Sequence, residues 1–411
     1  MSQTITRVPV PGATVITHTQ QGLTTALCLS VEFGSRHDPP GLGGTAHLLE
    51  HVLMAAPIGA GPSLSERVDE LGGSTNATTG LERMLFYAHV RTENAAEVAR
   101  LLAQAALDPR VGEETLESER RAVLQELAAA DADPSDVVQD AYLARLFADH
   151  PLGRPVGGTA SEVRRTSADD VMAVHARHLL PRRMALVSVG GLTDDRLHDA
   201  LDGTPLSRPD TTDRASAESR RAALSSLGDG GSEVRWPADD FCWMSVGSRG
   251  PAASDPRRHA YRVLSYLMSS TATGPLYQRL RVEDGLVYTF HSWYRPYLES
   301  GSWRVLAGAE TANGPRVLQG IRDTLENIAA GDTTPQALAA ARHRALTRSV
   351  LDADSPLDAA TQIAAKSRSG TVHWSLEEEL TWVETVGLPD IAAAAAAVLE
   401  DLVIVVRPEP S

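Results

Sequence analysis

Two stretches of this 411-residue chain repeat one another, and no other feature constrains its fold as much. Cys28-Leu29-Ser30-Val31-Glu32-Phe33-Gly34-Ser35-Arg36 resembles Cys242-Trp243-Met244-Ser245-Val246-Gly247-Ser248-Arg249. Each is followed by a polar loop holding Asp-Pro (Asp38-Pro39 and Asp255-Pro256) and then by a helical pattern. Each half also ends in a β-rich run, Leu186-Val187-Ser188-Val189 and Leu402-Val403-Ile404-Val405-Val406. Self-similarity at this spacing reads as two related domains. Length agrees, because single cores stop growing near about 250–300 residues. Residues 201–233 are rich in Ser, Asp, Arg, Gly and Pro and show little apolar periodicity, as a linker would. The expected division is therefore 1–200, a linker at 201–233, and 234–411.

Within the first half, residues 8–33 read as two strands, at 15–19 and 26–33. A helix follows, then a second near 63–71. Residues 74–90 read as a hairpin turning near Gly80-Leu81-Glu82. Helical segments are expected at about 93–107, 112–149 and 169–178, and the run at 184–191 as a buried strand. The fold class is α+β, with each domain a mostly antiparallel sheet packed against helices in layers.

The helix after the second strand carries His47-Leu48-Leu49-Glu50-His51. Residues four apart share a helix face, so His47 and His51 point the same way. Two imidazoles at that spacing can hold one zinc ion, and Glu50 hangs beside them as a general base. The order H-x-x-E-H reverses the commoner H-E-x-x-H with the same inventory. The second half has Arg258-His259-Ala260-Tyr261-Arg262 in the corresponding place, so only the first half can hold this metal. A catalytic zinc takes three protein ligands and an open position. The segment 117–126 offers candidates for the third: Glu119 and Glu126 are two helical turns apart and share a face. Glu126 sits among Val123, Leu124 and Leu127, where a carboxylate needs a partner. Glu113, Glu114 and Glu117 read as a solvated acidic surface.

These residues resemble the pitrilysin and insulinase peptidases, a family that includes the mitochondrial processing peptidase. That family pairs its H-x-x-E-H helix with a Glu roughly 75 residues on, and Glu126 lies 75 residues beyond His51. A second acidic residue one heptad earlier is matched by Glu119. Gly72-Gly73-Ser74-Thr75-Asn76-Ala77-Thr78-Thr79 is similar to the family's G-G-x-x-N-A-x-T strand. His150-Pro151-Leu152-Gly153-Arg154-Pro155 looks like its H-P-L-G-x-P loop. The second-half segment Leu280-Arg281-Val282-Glu283-Asp284-Gly285-Leu286-Val287-Tyr288 resembles its L-R-x-x-x-G-L-x-Y. One departure stands out: where the family usually has an F-x-G-T-type run after the zinc helix, this chain has Met54-Ala55-Ala56-Pro57.

The resemblance implies a Zn2+-dependent endopeptidase. His47, His51 and Glu126 would hold the metal and Glu50 would be the general base. Glu119 would orient His51 or serve as a plain structural carboxylate. Asn76 and Ala77 would bind the backbone of an extended peptide substrate by strand addition, although Asn76 also fits a plain turn residue. Arg281 and Tyr288 would bind substrate and stabilise the oxyanion; on the residues alone, a salt-bridged Arg and a half-buried Tyr fit as well. The resemblance further implies that two chains close around a chamber as a clamshell. The partner would be a second copy, forming a homodimer, or a paralogous subunit, forming a heterodimer. A non-catalytic or scaffold subunit of the same fold is the alternative function.

Bulk properties bound the rest. Acidic residues outnumber basic ones by 53 to 38, a net charge of −15, which argues against nucleic acid or an anionic membrane as partner. The two cysteines, Cys28 and Cys242, form no disulfide framework, and a reducing, cytoplasmic compartment is expected. The N-terminus has no apolar core of a signal peptide, and no apolar run reaches membrane-spanning length.

Overall fold

The computed structural model describes residues 6–10, 13–179, 184–208, 224, 234–269, 272–367 and 374–409. The chain forms two compact units, neither contiguous in sequence. The first comprises Met1–Leu127, Arg154–Arg220 and Val350–Leu376; the second comprises Ala128–Gly153, Arg221–Ser349 and Glu377–Ser411. The 201–233 linker lies for the most part outside the described residues.

The first unit is built on strands β1 (Thr6–Val10), β2 (Ala13–Thr19), β3 (Thr24–Val31), β4 (Ser74–Thr79), β5 (Met84–Arg91) and β6 (Met184–Gly190). Their order in the sheet is β1-β2-β6-β3-β5-β4. Every pair is antiparallel except β2 with β6. The helices are α1 (Thr45–Ala55), α2 (Leu64–Glu70), α3 (Ala95–Leu107), α4 (Glu113–Asp131), whose last four residues fall in the second unit, α6 (Ala160–Arg165), α7 (Ala168–His178) and α8 (Asp194–Leu201). A further helix, α13 (Pro356–Lys366), comes from the far end of the chain.

This arrangement explains why β3 reads as one unbroken apolar run. Leu27, Leu29 and Val31 point into the core formed with Leu48, Leu49 and Val52 of α1 and Val98 and Leu102 of α3. Ala26 and Cys28 point to the opposite face, where Ala359, Ala360, Ile363 and Ala364 of α13 cover them. A strand buried on both faces loses its alternation. Strand β4 differs. It is the last in the sheet, and only Ala77 along it is buried.

The second unit repeats the core of the first. Strands β7 (Phe241–Gly250), β8 (Thr289–Pro296), β9 (Gly301–Glu310) and β10 (Val403–Arg407) lie in the order β10-β7-β9-β8, all antiparallel. That order matches β6-β3-β5-β4 strand for strand, so the repeat seen in the sequence is also a repeat of topology. The helices are α5 (Pro134–Phe147), α9 (Arg258–Leu267), α10 (Pro275–Tyr277), α11 (Gly314–Ala329), α12 (Pro335–Leu351), α14 (Leu376–Thr385) and α15 (Leu388–Glu400). Helix α5 packs on β7 and β10, and its fully buried Tyr142 donates to the carbonyl of Trp303 at 3.0 Å. Each sheet is thus backed by one helix drawn from the other half of the sequence.

Two expectations are corrected in detail. The segment 112–149 is two helices, not one. Pro134 has no N–H to continue α4, and Asp133 accepts from the Ser135 amide at 2.8 Å to start α5. Residues 8–33 hold most of three strands rather than two, because residues 6–10 form β1, which pairs antiparallel with β2. No single helix among the described residues is long and apolar enough to cross a membrane.

Candidate metal centre

Helix α1 presents the two histidines, and its N-terminus is fixed from outside the helix. The N-cap, Gly44, has φ 82° and no side chain to cap with. A Cβ there would sit 2.2 Å from the Gly157 carbonyl oxygen, so both the conformation and the space require glycine. The cap is supplied six residues upstream. Buried Asp38 accepts from Gly44 N through Oδ2 and from Ala46 N through Oδ1, both at 2.8 Å. It satisfies two otherwise orphaned amides, and burial pushes its carboxyl up to about 7 against the lowering pull of those same two amides. Arg154 donates to the Asp38 carbonyl at 3.1 Å, tying the 150–159 loop to the same corner.

From this fixed start, Leu48, Leu49, Val52 and Leu53 turn into the core while His47 and His51 face the cleft. Their rings meet edge to face, 4.8 Å between centroids. Helix α4 brings a carboxylate to both: Glu126 Oε2 lies 3.5 Å from His47 Nε2 and 3.5 Å from His51 Nε2. Two turns earlier on α4, Glu119 Oε2 lies 3.3 Å from His51 Nδ1. Glu50 is buried between them and β4, and Thr79 donates its hydroxyl to Glu50 Oε2. Burial raises the Glu50 pKa, which the Thr79 hydrogen bond partly offsets. Burial, and then the neighbouring His51, lower the His47 pKa against the opposing pull of Glu126, which favours the neutral imidazole.

The donor set fits a metal ion. Two imidazole nitrogens and a carboxylate oxygen lie within 4.8 Å of one another. A tetrahedral zinc at about 2.0–2.1 Å from each donor holds them about 3.4 Å apart, close to the 3.5 Å separations to Glu126.

The structure thus brings His47, Glu50, His51, Glu119 and Glu126 together in the first unit. Asn76 and Ala77 line the same cleft. The Ala77 amide donates to its neighbour, Asn76 Oδ1, at 2.8 Å. Arg281 and Tyr288 belong to the second unit. Arg281 sits in a single π-helical turn, Gln278–Glu283, and donates to the carbonyls of Val287, at 2.9 Å, and Tyr288. The Tyr288 ring is 77% exposed. Two residues gain no role from sequence reasoning, although Thr79 is the final threonine of the G-G-x-x-N-A-x-T match. Asp38 acts through a loop, with no local periodicity to mark it. Thr79 has a weak signal: strand alternation puts it on the side of Ala77.

Comparison with known proteins agrees with this architecture. Residues 13–160 match the family described as "Insulinase (Peptidase family M16)", and residues 165–345 match "Peptidase M16 inactive domain". An uncharacterized zinc protease of Mycobacterium tuberculosis is 29% identical over 377 residues, covering 90% of this chain and 84% of the relative. One of Bacillus subtilis is 24% identical over 298 residues, covering 72% and 71%. Among solved structures, a protease from Helicobacter pylori superposes with a TM-score of 0.83 at 16% identity, covering 98% of this chain and 99% of the other. A chain of Complex III2 from Candida albicans gives 0.81 at 18% identity, covering 98% and 95%.

Proposed function

This chain belongs to the insulinase family of peptidases, and from that premise we propose that it is a zinc-dependent endopeptidase acting on extended peptides or unfolded segments. The observation that carries the reading is the convergence of His47 Nε2, His51 Nε2 and Glu126 Oε2, with Glu50 beside them and Glu119 behind His51. A non-catalytic subunit would have no use for this complete set.

In this reading His47, His51 and Glu126 hold the zinc. When bound, zinc polarises the scissile carbonyl and acidifies water. Glu50 takes the proton from the attacking water and passes it to the leaving amine, work suited to a carboxylate whose proton affinity burial has raised. Glu119 fixes the orientation of the His51 ring through Nδ1. Strand β4, with one edge of its backbone unpaired in the sheet, receives the substrate backbone at Asn76 and Ala77. Purified protein should cleave unstructured peptides, lose that activity to a metal chelator, and regain it with about one zinc per chain. Cleavage untouched by chelation would remove zinc from the mechanism.

We further propose that Arg281 and Tyr288 act on substrate across a dimer and that the protein works in the cytoplasm, where buried Cys28 and Cys242 remain thiols. A Glu50→Gln chain and an Arg281→Ala/Tyr288→Phe chain should each be inactive as homodimers. Mixing them creates dimers that pair an intact zinc half with an intact Arg and Tyr half, so activity should partly return. In the double variant kcat should fall more than KM rises, because these donors matter chiefly in the transition state. Stably mixed dimers that stay inactive would place the whole site within one chain.

A further inference from the structure

Glu50 is only 7% exposed, and a buried carboxylate needs hydrogen-bond donors to hold its charge and direction. Among the described residues the Thr79 hydroxyl is the one donor to it. Thr79 is the last residue of β4, the strand whose open edge passes the metal cleft. Its backbone is held opposite Met84 of β5 in the antiparallel ladder. Threonine is branched at Cβ and stiff about χ1, so the strand also fixes where the hydroxyl points.

We propose that Thr79 is a positioning residue for the general base. Its hydroxyl occupies Glu50 Oε2 and so leaves Oε1 as the oxygen that meets the water proton. The inference rests on the assignment of Glu50 as base. One consequence concerns the substrate. Ala77 and Thr79 lie two residues apart on one side of β4, so the strand that receives the peptide backbone also carries the anchor of the base. Substrate register and base orientation are therefore set by the same six-residue element.

Thr79→Val keeps the shape of the side chain and removes the donor. Its kcat should fall about tenfold to a hundredfold, the scale on which a misplacement of about 1 Å acts. KM and zinc content should stay within about twofold of the parent. Thr79→Ser restores the hydroxyl and should recover most of the loss. In a Glu50→Gln background Thr79→Val should cost little more, because the two residues act as one unit. A merely structural role would lower melting temperature without this kcat-specific loss, without Ser rescue and without non-additivity. If Thr79→Val does not fold, Thr79→Ala removes the hydroxyl without adding bulk, and the same split is expected of it. An unchanged kcat in a folded hydroxyl-free variant overturns the inference, as does a loss in which KM rises and kcat holds. Full activity in Glu50→Gln alone would instead overturn the assignment of the base.

Discussion

Glu50→Gln should lower kcat by about a hundredfold or more, the usual scale for a general base, while metal content and the capacity to bind peptide should stay at the parent level. The expectation of an intact fold follows from the surroundings of the side chain. The carboxylate is buried and burial raises its pKa, so its charged form is carried at a cost. Glutamine has the same shape, carries no charge, and still offers an oxygen to the Thr79 hydroxyl. Its melting temperature should therefore equal or exceed that of the parent. Steady-state kinetics beside elemental analysis and a thermal melt give all three readings at once. Turnover at the parent rate would end the mechanism given above.

Removing a metal ligand should have a larger effect still. His47→Ala, His51→Ala and Glu126→Ala should each empty the site and abolish cleavage, since two protein donors do not hold zinc tightly. Glu126 Oε2 stands 3.5 Å from both imidazoles, so its loss is felt by the whole set. Of the two histidines Glu119 reaches His51, and Glu119→Ala should weaken metal binding or activity by about 10–100-fold. Glu114→Ala and Glu117→Ala should retain full metal; Glu114 is exposed and Glu117 pairs with Arg120 instead. Full zinc in His51→Ala, or an emptied site in Glu119→Ala with an occupied one in Glu126→Ala, would show that the ligands are assigned wrongly.

How much of this can be read without coordinates depends on the range of each cause. The four-residue spacing of His47 and His51 is converted to proximity by helix geometry alone, so that pair is legible from the chain. The approach of Glu126 is not. No local periodicity says that α4 crosses α1 at that point, and only the resemblance brings the pair together. The hairpin of β4 and β5 is legible from its turn residues, and its edges lie close to the expected ones. The break at Asp133-Pro134 carries a local signal that helical periodicity across 112–149 outweighs. Asp38 as a remote cap has no signature of its own, because the loop that returns it to Gly44 and Ala46 is a tertiary event. The same holds for α13: nothing in residues 356–366 says which sheet they cover.

That last helix has a consequence for how the protein is made. The apolar face formed by Ile16, Ala26, Cys28, Val187 and Val189 is closed by residues 359–364. On a ribosome, the strands of the first unit leave the exit tunnel long before the helix that shields them. Throughout the intervening synthesis that face has no cover from its own chain, and exposed apolar patches of this kind invite association. The unit that carries His47, His51 and Glu126 is therefore closed only after most of the second unit has been made, and a message truncated after the first half would yield a chain with all five residues of the proposed zinc site and an unprotected sheet.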